Sequence, residues 1–549
     1  MKHIKYILFS AVLIAFASCS EDDDFVNKEI IETLPALTVG SADFSNYVAI
    51  GASFTAGVTD GGLFIAGQER SFPQLLSEQF AIGGGGTFTQ PLMADNTGGI
   101  LAGGNVVGNY RLVFGGAGPV PLDAFLTSQG APVPPITTEA GNNIGSNFNN
   151  FGIPSAKSFH LVTPGYAAFN PFYTRIASSG TSTVLGDALA QNPTFFTLSE
   201  VGGNDVLGYA TSGGTGVDQT GNFDPSSYER NDITDPNVFG QAFSSMVDAL
   251  TQNGAKGVVT TVPDITSLSH FTTVPHNPLD PNDPDTGAGL VAQIPTLNQI
   301  YGALNQIFAV ADPSRIITFS TTETNEVVII DEDLADLSAV IAGTLGPDPA
   351  FAAFIGQFGL PPEAAPLVAG FLGATYGQAR EANANDLLVL PSSSIIGKVN
   401  EANAAALAPV LGPQVAGQFS VEGITLPLED KWVLTPQEQN AIAMATSAYN
   451  ATIFAVTDAN PNVAVADLRA VLEQASVSGY PYDDYLMTTD LVFGGLVSLD
   501  GIHLTSRGYG LMATEFLVAI DEAFGSNFIA SGTTPVADDL PTNYSPSLQ

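Results

Sequence analysis

The strongest regularity along the chain is an alternation of short apolar runs with stretches of helical period. YVAIG, Tyr47 to Gly51, is an apolar run that stops in glycine and reads as a strand. In SFPQLLSEQF, Ser71 to Phe80, the residues Phe72, Leu75, Leu76 and Phe80 share one helical face, and Pro73 is tolerated in the first turn. TFFTLSEVGGND, Thr194 to Asp205, is a buried strand pattern ending in a glycine pair followed by Asn and Asp. Phe239, Phe243, Met246, Val247 and Leu250 recur at helical spacing up to a stop at Gly254, with a strand expected at Val258 to Val262. A helix from Leu297 to Val310 and a strand from Ile316 to Phe319 follow. TPQE at Thr435 is a capping box with proline at its first turn. It opens a helix carrying Ile442, Ala445, Tyr449 and Ile453, and Val463 to Ala466 supplies the last strand.

This order predicts an α/β fold, a mainly parallel sheet sandwiched by helices through right-handed βαβ units. Ligands of such sheets bind beyond the C-terminal strand ends, where Ser53 and Asn204 fall. The pattern is interrupted twice. From Ile82 to Gly145 the chain is rich in Gly, Asn, Thr and Pro, a long surface excursion beside the site; its GGGG run lacks the GK[ST] of a phosphate loop. From about 321 to 434 an Ala-, Gly-, Pro- and Leu-rich stretch reads as a helical insertion, either packed on the sheet or capping the site with an apolar channel. DPNDPDTGAG at Asp280 to Gly289 lacks a regular ligand register and a closing Glu, which favours a solvated loop over a calcium site. Residues 43–530 therefore form one domain, and 531–549 read as a disordered tail.

The N-terminus changes the setting. Lys2, His3 and Lys5 precede an apolar run, Ile7 to Ala17, too short to span a bilayer; residues 1–18 read as a secretory signal. The run ends FASC at Cys19, the only cysteine, so no internal disulfide is available. Cys19 resembles the lipid-modified residue of a bacterial lipobox, with Phe16 where Leu is usual; the alternative is an ordinary signal peptide with an incidental cysteine. SEDDD after it reads as the start of an acidic tether over 19–42, and resembles the surface-export signal of Bacteroidetes lipoproteins. The resemblance implies an outer-membrane lipoprotein exposed at the cell surface, held to the membrane through the lipid anchor on Cys19.

Composition narrows the partners. A net charge of −39 argues against nucleic acid as a partner, because phosphate binding rests on basic contacts. With 45% hydrophobic and 13% charged residues the chain can build a sizeable core.

Ester cleavage by a serine needs a base for its proton, a carboxylate to orient that base and donors for the oxyanion. Beyond the signal, the histidines are His160, His270, His276 and His503, and only His503 has a well-placed carboxylate, Asp500, three residues before it. GASF at Ser53, Gly152 in NNFGIPSAKS, GGND at Gly202 to Asp205 and DGIH at Asp500 to His503 resemble, in order, four conserved blocks of the GDSL or SGNH hydrolases. Ala52 stands where that family usually has Asp, and Ser155 replaces a common glycine. The resemblance implies Ser53 as nucleophile, His503 as general base, Asp500 as orienting carboxylate, and an oxyanion hole of the Ser53 and Gly152 N–H groups with the Asn204 amide. It implies no metal or organic cofactor, and an acyl-ester or lipid substrate. A carbohydrate acetylesterase and a noncatalytic surface binding protein with the same fold remain alternatives. No GxSxG elbow occurs, which argues against an ordinary α/β-hydrolase.

Overall fold

The computed structural model describes residues 34–548; the signal segment, Cys19 and the SEDDD run lie outside the described residues. Five strands form one sheet: β1 (Tyr47–Gly51), β2 (Asn150–Gly152), β3 (Phe195–Leu198), β4 (Lys256–Thr260) and β5 (Val463–Ala466). All neighbours pair parallel in the order 2-1-3-4-5. The order reverses direction between β1 and β3, and the crevice opens there. Every residue of β1 and β3 is buried. Successive side chains of a strand point to opposite faces, so both faces of the sheet are covered.

The covering helices are those the apolar spacing calls for. Helix α1 (Ser53–Ala56) follows β1 directly, and α2 (Phe72–Ile82) buries Phe72, Leu75, Leu76 and Phe80. α3 (Asn204–Thr211) leaves β3, and α4 (Pro236–Thr251) buries Phe239, Phe243, Met246, Val247 and Leu250. α5 (Gly287–Ala311) is longer than its stripe and contains Pro295. α6 (Pro436–Asp458) starts at the Thr435–Glu438 capping box, and α7 (Ser506–Phe524) starts at Thr505, whose side chain accepts from Gly508 N–H. Phe72 of α2 stacks on Phe516 of α7 at 4.9 Å, and Phe239 of α4 stacks on Tyr449 of α6 at 4.4 Å.

Several expectations are corrected. Ile316–Phe319 is extended but joins no sheet. Its backbone is paired instead by asparagines of α5: Asn305 bonds Ile317 N–H and C=O (3.0 and 2.7 Å), and Asn298 does the same for Phe319 (2.8 and 2.8 Å). The fourth strand ends at Thr260, not Val262, because Asn450 of α6 takes both polar groups of Val262 at 2.8 Å. α5 belongs not to the sheet but to a second hydrophobic core, with buried residues from Val274 to Val433, so this unit begins well before 321. Arg315 is fully buried there and donates to the carbonyls of Ala379, Ala335, Tyr376 and Gly377. In the 280–289 loop, Asp283 Oδ1 accepts from the N–H groups of Asp285 and Thr286, which shapes the turn into α5.

The tail is packed, not disordered, over the described residues 531–548. Leu540 and Ala537 are buried, the Tyr544 ring meets Phe64 edge-on at 5.0 Å, and Arg111 donates to the carbonyls of Ser545 (2.8 Å) and Leu548 (3.2 Å). The end of the expected tether is also docked: Thr38 N–H bonds Asn527 Oδ1 at 2.6 Å and Ser41 N–H bonds Phe524 O at 2.8 Å. Among the described residues no single helix is long and apolar enough to cross a membrane.

Candidate active site

β1 delivers Ser53 to the crevice as the first residue of α1, 8% exposed. The first N–H groups of a helix have no intrahelical acceptor. Here Thr55 N–H is taken by Glu200 and Ala56 N–H by Ala52 O, and the N–H of Ser53 has no bond among the described residues. The Ser53 hydroxyl is likewise unpaired among them. It lies at the edge of a cavity that Asn204 and Glu200 also line.

Asp500 and His503 form a tight pair. His503 Nδ1 lies 2.6 Å from Asp500 Oδ2, which also accepts from Gly61 N–H at 2.8 Å. Asp500 Oδ1 accepts from the N–H groups of Ile502 and His503, both at 2.9 Å, and from Ser498 Oγ at 3.1 Å. Burial opposes ionisation of Asp500, but the His503 charge, its hydrogen bond and the two backbone donors outweigh that and hold the carboxyl well below the usual range. With Asp500 anionic on Nδ1–H, the other nitrogen, Nε2, is left as the acceptor. His503 meets the Ser53 turn through Phe54, whose ring lies 5.7 Å from the imidazole. The bond from Ser53 Oγ to His503 is not formed among the described residues; catalytic hydrogen bonds are often long without substrate and tighten in the complex.

Asn204, the first residue of α3, spends one amide hydrogen on Ala156 O at 3.0 Å and keeps the other. Gly152 behaves differently from expectation. Its N–H is consumed by Asn150 Oδ1 at 2.8 Å, so it is no oxyanion donor in this arrangement. It is glycine for another reason: a Cβ there would overlap the backbone of Thr55 and Ala56, so its absence lets β2 pack against α1. The nearby donor is Ser155, which sits at φ +66°, a strained conformation for a non-glycine residue, and whose N–H is unpaired among the described residues. Ala156 beside it carries the carbonyl that holds Asn204. The buried Asp205 fixes the same loop by accepting from Ser158 N–H (2.9 Å) and Oγ (2.7 Å).

Two of the other histidines are held away from Ser53 by their surroundings. His160 stacks on Tyr166 at 4.3 Å and accepts from Lys157 N–H; burial, with Lys157 nearby, lowers its pKa to about 4. His270 packs under the Asp500–His503 loop, its backbone N–H bonded to Gly501 O at 3.0 Å, and burial lowers its pKa. The 82–145 excursion reaches the segment whose Gly61 bonds Asp500, since Leu112 N–H bonds Asp60 O.

No protein-family profile, curated protein or solved structure matches this chain. What the site can do therefore rests on its own geometry. The cavity beside Ser53 is walled mainly by apolar residues, among them Leu207, Ile265, Leu268, Leu496 and Met512, and its polar side chains are those of Ser53, Glu200, Asn204 and Thr261. Glu200 is the residue that sequence reasoning missed. It stands between a strand and the GGND motif, where its length alone would have suggested a solvated turn.

Proposed function

We propose that this chain is a serine ester hydrolase of SGNH type, carrying a large mainly helical insertion after its fourth strand. The observation that carries this reading is the Asp500–His503 pair, with a fully donor-saturated carboxylate at 2.6 Å from Nδ1. In the proposed reaction Ser53 Oγ attacks the ester carbonyl while His503 Nε2 takes its proton. The oxyanion is met by the Ser53 N–H, the free hydrogen of the Asn204 amide and the Ser155 N–H. His503 then protonates the leaving alcohol, and water hydrolyses the acyl-enzyme by the same steps. The apolar cavity supports an acyl ester as substrate, the chain lying against Leu207, Leu268 and Met512. The signal segment and Cys19 support a lipid-anchored enzyme at the outer membrane.

A panel of p-nitrophenyl esters on the mature protein, with Ser53→Ala as control, tests this. Hydrolysis that depends on Ser53 and favours butyrate or octanoate over acetate is expected. Activity confined to acetyl esters would move the reading to a carbohydrate acetylesterase, and no Ser53-dependent turnover would leave a noncatalytic binding protein.

A further inference from the structure

Within the turn that presents Ser53 the internal bonds run from Ala56, Gly57 and Val58 N–H back to Ala52 and Ser53 carbonyls, which leaves the N–H groups of Ala52 and Thr55 to partners outside it. Ala52, the residue before the nucleophile, has no side chain able to brace it. Bracing comes from across the crevice. Glu200, at the exit of β3, sends its carboxylate onto the β1–α1 turn: Oε1 accepts from Ala52 N–H at 2.7 Å and from Thr55 N–H at 2.9 Å, and Oε2 accepts from Thr55 Oγ1 at 3.1 Å. The two N–H groups it binds flank Ser53.

Glu200 is itself pinned. Its N–H donates to Thr260 Oγ1 of β4 at 2.9 Å, and its carbonyl accepts from Gly203 N–H at 3.0 Å, one residue before Asn204. It does so at φ +46°, a conformation that costs a non-glycine residue free energy and persists only where surrounding contacts impose it. Burial pushes its carboxyl up to about 7 against the pull of these donors, as expected of a side chain placed inside the fold for its acceptor atoms. One residue thus joins the nucleophile's turn, two sheet strands and the turn that carries Asn204.

We infer that Glu200 is the positioning residue of this site: by occupying the N–H groups on either side of Ser53 it fixes the hydroxyl and leaves the Ser53 N–H turned to the cavity. This role rests on the proposed hydrolase reading. Both carboxylate oxygens of Glu200 are engaged by donors of the turn, so its substitution acts through the placement of Ser53. Its loss appears in the chemical step, through misplacement of the nucleophile and one oxyanion donor.

The test is kcat and KM on p-nitrophenyl butyrate for wild type, Glu200→Ala, Glu200→Gln and Glu200→Asp, with thermal melts. In Glu200→Ala kcat falls by about 10²-fold, the loss expected from displacing a reacting group by an ångström, and KM stays within about threefold. Glu200→Gln keeps an acceptor at Oε1 for both N–H groups and restores kcat to within about fivefold of wild type. Glu200→Asp keeps a carboxyl but is one methylene too short to bridge Ala52 and Thr55, and loses at least about tenfold; it serves as the decisive variant if the alanine form does not fold. A folded Glu200→Ala or Glu200→Asp with kcat within about threefold of wild type overturns the role while leaving the hydrolase reading intact, as does a Gln variant no better than Ala. A wild-type protein without Ser53-dependent turnover removes both.

Discussion

Replacing Asp500 by Asn separates the proposed orienting role of this carboxylate from its bulk. Asp500 accepts from His503 Nδ1, Gly61 N–H, Ile502 N–H, His503 N–H and Ser498 Oγ. The amide oxygen of Asn can replace Oδ1 and keep the last three. Its NH₂ then occupies the Oδ2 position, facing Gly61 N–H and the imidazole, where only an acceptor fits. The His503 ring responds by shifting its proton to Nε2, the tautomer that cannot accept from Ser53. In a Ser-His-Asp site such inversion costs about 10⁴ in kcat. Loss of a charge-assisted bond costs about 1.5 to 3 kcal/mol of stability besides. Because the folded pKa of Asp500 is depressed, its stabilisation is present above the unfolded value of 3.8 and is lost as pH falls through the folded value. The gap in melting temperature between wild type and variant therefore narrows below pH 3.8. Ester hydrolysis at neutral pH and melts from pH 7 to pH ~2 measure both effects. A folded variant with kcat within about tenfold of wild type would refute the orienting role.

Other substitutions probe the rest of the account. Asn204→Ala removes the free oxyanion donor and one bond to Ala156, so kcat drops about 10²- to 10³-fold with a small change in melting temperature; unchanged kcat would remove Asn204 from the site. Arg380 lies nearly buried between Asp386, which it grips with two nitrogens at 2.6 and 2.7 Å, and Asp331 at 2.7 Å. Arg380→Ala strands two carboxylates and destabilises the second core by about 3 to 5 kcal/mol in denaturant unfolding. Deleting residues 531–549 strips the Ser545 and Leu548 carbonyls from buried Arg111, leaving it Asn96 O, and the Tyr544 ring from Phe64, so the truncated protein melts at a lower temperature; an unchanged melt would show that the tail contributes nothing.

The sheet and its helices were legible because apolar periodicity reports burial directly: Phe72, Phe80, Phe239 and Phe243 recur at helical spacing and all are buried. Ser53, Asp500 and His503 stood out as candidates because each stands in a short local motif, and the structure pairs Asp500 with His503 and sets Ser53 at the cavity. What escaped was carried by polar side chains acting over long sequence separations. Asn298, Asn305 and Asn450 look like solvent-facing positions on their helices, yet each binds both polar groups of a residue that would otherwise need a neighbouring strand. That substitution turned an expected strand into an unpaired segment and shortened another. Glu200 and Ser155 escaped for a related reason, since their roles depend on backbone conformation and on partners such as Ala52 and Ala156 that no spacing rule connects. Gly152 was misread because a glycine needed for close packing looks the same in sequence as one that frees an N–H. The tail was misread because its polar composition conceals Leu540 and Tyr544, which do the packing.

The central claim, that Ser53 is an activated nucleophile served by His503, is tested most directly by a fluorophosphonate probe with the adduct located by mass spectrometry. The account predicts one modified residue, Ser53, in the folded wild-type protein, no adduct in Ser53→Ala, and labelling slowed at least about 10²-fold in His503→Ala. Absence of label from folded wild-type protein, or label on another serine that persists in Ser53→Ala, would contradict it.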